Sequence, residues 1–142
     1  MGGAWINVKY VAFVDESEPD QRVSPGTYIL SAAIVMVNAQ DALREHMRGL
    51  KSANQKKVHW HDESARGRSK LISSVSALDA KYLVVVRTGN TDARSERRRR
   101  LCLERLCYEL AARGVERIVF ESRGPSDKLD RKLVDSLRAK KP

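Results

Sequence analysis

Asp15, Glu16 and Ser17 follow without a break on the apolar run Val11-Ala12-Phe13-Val14. Such a run reads as a buried strand, and carboxylates at its end are poorly placed for stability, because an unpaired buried charge is costly. They are well placed to hold a metal ion at the edge of a sheet, since hard divalent cations take oxygen ligands. Another acid closes a later apolar run, Ile118-Val119-Phe120-Glu121, which continues into Ser122 and Arg123. Between the two lies His59-Trp60-His61-Asp62-Glu63. If this piece is extended, His59 and His61 share one face and Trp60 takes the other. Two imidazoles so spaced can hold Zn²⁺ with an acid as third ligand, but His46 falls in a predicted surface helix and no position supplies a convincing partner. A histidine that shuttles a proton or contacts a phosphate beside the carboxylates is the better functional reading. A hydrogen-bonded structural histidine is its competitor.

The densest basic run is Ser95-Glu96-Arg97-Arg98-Arg99-Arg100. On a helix these arginines spread around the axis. Arg97 and Arg100 share one face, and Arg94, Arg98 and Arg105 form another row. Contact with phosphates is one reading, and a solvated helix start is the other. Arginines at a helix N-terminus oppose its dipole by up to about 1 kcal/mol each, which weighs against a purely structural role. Other chemistries find no motif. There is no Gly-x-Ser-x-Gly elbow, no phosphate-binding Gly-x-x-x-x-Gly-Lys loop and no dinucleotide fingerprint.

These groups need elements to position them. Val8 to Val14 reads as a buried strand and Tyr28 to Val37 as a second, antiparallel to the first because the connection through Pro19, Pro25 and Gly26 is short. Asn38 or Asp41 is expected to cap a helix carrying Leu43, Met47 and Leu50, and Lys57 to His61 to form a short extended piece. Asp62 or Ser64 then opens a helix with Leu71, Ile72, Val75 and Leu78 inward. Tyr82 to Val86 is a continuous β-branched and aromatic run, hence a buried strand. A long helix opens at Asp92 or Ser95, carries the stripe Leu103, Leu106, Cys107 and Leu110, and ends at Gly114. Val115 to Phe120 is a further strand, and Leu129, Leu133 and Leu137 mark a last helix before the basic tail from Arg138 to Pro142. A hairpin followed by alternating helices and strands implies a mixed α/β sheet with helices on its faces.

The chain has 142 residues, enough for one domain with a real core, and no apolar stretch near the roughly 18 residues of a membrane span. Its net charge of +9 is uneven: residues 1–50 hold four basic and six acidic side chains, the rest 23 basic and 12 acidic. An acidic locus beside a basic surface suits phosphate-ester chemistry on nucleic acid, although arginine-rich composition alone produces similar totals. Cys102 and Cys107 lie about 140° apart around a helix, too divergent for a bridge. Free thiols and an N-terminus without a basic-then-apolar leader fit the cytoplasm.

The run Phe13-Val14-Asp15-Glu16-Ser17, the apolar second strand, the His59-x-x-Asp62-Glu63 region and the late strand ending Glu121-Ser122-Arg123 together resemble the family catalogued as domain of unknown function 3800. That resemblance implies a ribonuclease H-like fold over residues 1–142 and a nuclease or related phosphoryl-transfer activity dependent on Mg²⁺ or Mn²⁺. It implies Asp15 as the central ligand, Glu63 or Asp62 as a second and Glu121 as a third, with His59 beside them. Enzymes of this class hold two ions about 4 Å apart. Arg97, Arg98, Arg100 and Arg123 would hold the nucleic-acid backbone. The chain departs from the family in carrying Glu at 121 where Asp is usual, and in stopping soon after the last helix. It is therefore expected to lack a C-terminal element, to lack part of the metal site, or to use Asp127 or Asp130 instead. A non-catalytic nucleic-acid-binding or protein-interaction domain on the same fold is the second expectation. A remnant with an exposed apolar sheet edge, prone to pair through it, is the third.

Overall fold

The computed structural model describes residues 9–89 and 91–140, so the expected strand start at Val8 and the tail beyond Lys140 lie outside the described residues. Strands β1 (Tyr10–Ser17) and β2 (Tyr28–Met36) form the expected antiparallel hairpin. β3 (Lys81–Arg87) pairs antiparallel with β2, and β4 (Val115–Phe120) pairs parallel with β1. The sheet order is β3-β2-β1-β4. The helices are α1 (Gln40–Leu50), α2 (Ala65–Ser76), α3 (Ser95–Ala112) and α4 (Asp127–Ala139). This is a mixed four-stranded α/β sheet with helices.

The period-2 geometry of strands divides the sheet into two faces. Ala12 and Val14 of β1, and Leu30, Ala32 and Ile34 of β2, are buried against Cys102, Leu103, Leu106 and Leu110 of α3 and Leu133 of α4. We call this the inner face. The outer face carries Phe13 and Asp15, with Ala33, Ser31, Tyr82 and Val84 beside them in register.

Several local features follow from chemistry legible in the chain. Ser64 caps α2 by accepting a hydrogen bond from the Gly67 amide. Gly114 takes φ +74° just past α3, a conformation that favours glycine. Other expectations are corrected. Asn38 and Asp41 do not cap α1, which has Ala39 at that position and no side-chain cap bond. Lys57 to His61 is not a strand; Trp60–Asp62 forms a 3₁₀ turn, held by the Arg68 guanidinium, which donates to the Trp60 carbonyl at 3.1 Å and covers its ring. β3 is not buried on both faces. It lies at the sheet edge, and its outer residues Tyr82, Val84 and Val86 are 50%, 56% and 57% exposed.

Leu106 is fully buried between the sheet and α3's neighbours, whereas Tyr108 on the same helix is exposed. Leu106→Ala is expected to destabilise the fold by about 2–5 kcal/mol in urea melts, and Tyr108→Ala to stay within about 0.5 kcal/mol.

Candidate functional site

β1 and β4 run parallel side by side, so their C-terminal ends meet at one edge. Val14 pairs with Phe120, which sets the next residues, Asp15 and Glu121, alongside each other. Both line a cleft of about 100 Å³ together with Glu16, Ser122, Arg99 and Arg123. Asp15 follows Phe13 on the outer face and accepts a hydrogen bond from the Glu16 amide at 2.8 Å. Glu121 accepts from Lys57 Nζ at 2.9 Å. That ammonium, and to a smaller extent the charge of His59, holds the Glu121 carboxyl below its usual range. The segment between α1 and α2 thus reaches the end of β4 with a cation at Lys57 and an imidazole at His59.

Alternation sends Glu16 to the inner face, where it meets the start of α3. Arg99, 3% exposed, pairs with Glu16 and, at 2.9 Å, with Asp130 of α4. The Tyr28 hydroxyl donates to Glu16 at 2.9 Å, and burial pushes its own pKa up to about 12. Arg123 extends the cluster by pairing with Asp130 and Glu96, each at 2.9 Å. Arg98, 6% exposed, pairs with Glu18 at 2.6 Å and donates to the Ala93 carbonyl. The Ser95 hydroxyl also donates to Glu18. This carboxylate at the N-terminus of α3 offsets the arginines' opposition to the helix dipole.

The chain matches no protein-family model, no curated protein and no solved structure.

The expected site residues divide accordingly. Asp15 and Glu121 are brought together, with His59 near Glu121. Glu63 does not line the cleft: its carboxylate accepts from the Gln55 side chain at 3.3 Å and lies against Gly67 at the start of α2. Asp62 is exposed in the 3₁₀ turn. Asp130 and Asp127 do not replace them. Asp130 is held by Arg99 and Arg123, and Asp127 accepts from the Ser122 hydroxyl and the Arg123 amide. Of the four arginines expected to bind backbone, Arg97 and Arg100 are exposed on α3. Arg98 is instead a buried structural partner of Glu18, and Arg123 is largely taken up by Glu96 and Asp130.

Two participants were missed, Lys57 and Arg99. Extending the α3 stripe upstream by the same helical spacing from Cys102, Leu103 and Leu106 lands on Arg99, a signal of burial that the charge of the run obscured.

The donor set can be weighed against the implied metal. Among the described residues, no group of three or more His, Cys, Asp or Glu side chains is placed to hold an ion together. A two-ion centre therefore does not fit. A single Mg²⁺-like ion does, since such ions bind through one or two carboxylates and keep several waters. Asp15 and Glu121 would be the residues to supply those oxygens, with Lys57 displaced from Glu121, a pair exposed enough to be weakly held.

Two measurements test this electrostatic frame. Arg99→Met leaves Glu16 and Asp130 without their shared partner and is expected to cost about 3–5 kcal/mol in urea melts, with Arg97→Ala near neutral. Burial alone would raise the pKa of Glu18, but hydrogen bonds from Arg98 and Ser95 more than reverse that and leave it below the usual 4.5. Its stabilisation is thus present above 4.5 and lost as pH falls through the lowered folded value. Thermal melts between pH 7 and 2.5 should show a loss of stability confined to the region below about 4.5. Glu18→Gln should lower stability at pH 7 and shrink that loss.

Proposed function

We propose that the chain is a divalent-cation-dependent nuclease of the ribonuclease H-like class, with its active site in the cleft at the ends of β1 and β4. The observation that carries this reading is the convergence of Asp15 and Glu121 from adjacent parallel strands, with Lys57 paired to Glu121. The antiparallel hairpin, the parallel fourth strand and the resemblance of the Asp15 motif support the same class. Asp15 and Glu121 are the residues that would hold Mg²⁺ or Mn²⁺. The ion supplies Lewis-acid polarisation of a phosphoryl oxygen and an activated water.

The chain's own residues do the rest. Lys57, released from Glu121, would contact the scissile phosphate. His59 provides an imidazole for proton transfer to the leaving oxygen. Arg97 and Arg100, exposed on α3, give charge for the flanking backbone. The Arg99 cluster holds β1, α3 and α4 together and so fixes the direction in which Asp15 leaves the strand.

That no third carboxylate joins Asp15 and Glu121 among the described residues favours a second reading, a nucleic-acid-binding domain without catalysis. One experiment separates them. Labelled single- and double-stranded DNA, RNA and hybrid are incubated with Mg²⁺ or Mn²⁺, with EDTA and Asp15→Asn as controls. The nuclease reading expects product that EDTA abolishes and that Asp15→Asn reduces by at least about 100-fold, since losing such an ion costs several kcal/mol of transition-state stabilisation. Salt-dependent binding without product, unchanged in Asp15→Asn, would establish the binding domain instead.

A further inference from the structure

The outer face carries a separate, larger groove of about 640 Å³ between the sheet, α1, α2 and the segment that joins them, linked to the carboxylate cleft by the Lys57–Glu121 pair. Its size lies within the range of ligand sites. Its floor is apolar: Phe13, Ala33 and Tyr82 lie in one cross-strand row on β1, β2 and β3. Strand spacing puts the two aromatics roughly 10 Å apart, with only a methyl group between them. The Tyr82 hydroxyl donates to the Val75 carbonyl of α2 at 2.8 Å, which holds the ring in place while leaving it half exposed. The rim is cationic. Arg44, Arg48, Lys51, Lys56 and Lys57 line the groove, and no acid does among the described residues. Arg44 and Arg48 pair with Asp41 and Glu45 along the exposed side of α1, contacts that yield readily to a stronger anion.

We infer that this groove binds single-stranded nucleic acid, with an unpaired base stacked on the half-exposed Tyr82, beside Phe13, whose ring the Arg44 guanidinium covers, and the phosphates along the Arg44–Lys57 rim. The inference rests on the reading of the neighbouring cleft as a phosphodiester site and names the substrate form that reaches it. An apolar aromatic floor beneath a polycationic rim matches a strand whose bases are free to stack. A duplex hides those faces and offers the rim only its phosphates. An acidic peptide matches the rim but leaves the aromatic floor without a planar partner. Phe13 and Asp15 stand two residues apart on the same face of β1, about 7 Å along the strand. A strand lying in the groove therefore points its next phosphate toward the cleft, and Lys57, which lines the groove, pairs with Glu121 of the cleft.

The test is fluorescence anisotropy in EDTA, so that binding is read apart from cleavage. The probes are a labelled twelve-nucleotide oligo-dT, the same length of oligo-rU, a duplex of equal length and a labelled poly-glutamate peptide. Either single strand should bind more tightly than the duplex or the peptide, and the two arms show whether the sugar matters. Tyr82→Ala should weaken single-strand binding about 5- to 150-fold, the range that loss of one stacked base produces. Tyr82→Phe should retain it, and thermal melts check that both variants fold. Lys51→Ala combined with Lys56→Ala should reduce the slope of log affinity against log salt by about 1.4. Equal or tighter binding of the duplex or the peptide, or full affinity in a folded Tyr82→Ala, would overturn the inference. Strand binding without cleavage would leave it standing and count against the nuclease reading. Cleavage without preference for single strands would do the reverse.

Discussion

A guanidinium buried in a protein must be paired, because the desolvation it suffers is recovered only through close counter-charges and satisfied hydrogen bonds. Arg99 is such a group. Its partners are Glu16 at the end of β1 and Asp130 near the start of α4, and Tyr28 of β2 bonds both Arg99 and Glu16. The cluster thus joins elements far apart in the chain at the point where the sheet meets its helices. Apolar packing between α3 and the inner face would tolerate sliding by small increments. A multidentate ion cluster would not, because any shift leaves a buried charge without its partner. The cluster therefore sets the register of the fold as much as it stabilises it.

The same constraint determines what the outer face can present. Once Glu16 is committed to the inner cluster, the pleat sends Asp15 the other way, and the parallel register of β4 brings Glu121 beside it. Two acids adjacent in sequence acquire separate surroundings, one as the partner of buried Arg99 and the other as an exposed carboxylate of the cleft. The composition of the Asp15-Glu16 pair alone does not distinguish them. Strand alternation does, provided that one of the two partners is known.

Most of the architecture was legible because it rests on periodicity. The hairpin, α3 with its apolar stripe and the strand closing on Glu121 all follow from spacing of apolar residues. Legibility failed where a long-range partner decided the outcome. The arginine run looked like a solvated or phosphate-binding helix start, yet Glu18 and Asp130, remote in sequence, draw Arg98 and Arg99 inward. The histidine trio looked extended, but the Arg68 contact to Trp60 closes it into a turn. β3 had the composition of a buried strand, and only its place at the edge of the sheet exposes one side of it. At the candidate site, the carboxylates at strand ends were visible in advance. Their cationic neighbour Lys57 was not, since only the folded path of the α1–α2 segment brings it to Glu121.

The two faces of the sheet also divide the chain's charge. On the inner side, acids and arginines neutralise one another within the Arg99 cluster and around Glu18, so these arginines contribute little field to the surroundings. On the outer side, no acid lines the groove among the described residues, and its cations meet acids only in exposed pairs, Arg44 with Asp41, Arg48 with Glu45 and Lys57 with Glu121. An incoming polyanion would be attracted along the rim and repelled at its end unless Asp15 and Glu121 were neutralised. On the proposed function a divalent cation would do that, and so would favour strand entry and complete the cleft at once. The excess of positive charge in the second half of the chain is thus a less specific signal than its distribution, because many of those cations are already spent within the fold. It is the weakly paired cations of the outer face, together with two acids that would repel the same ligand, on which the proposed metal-coupled polyanion site rests.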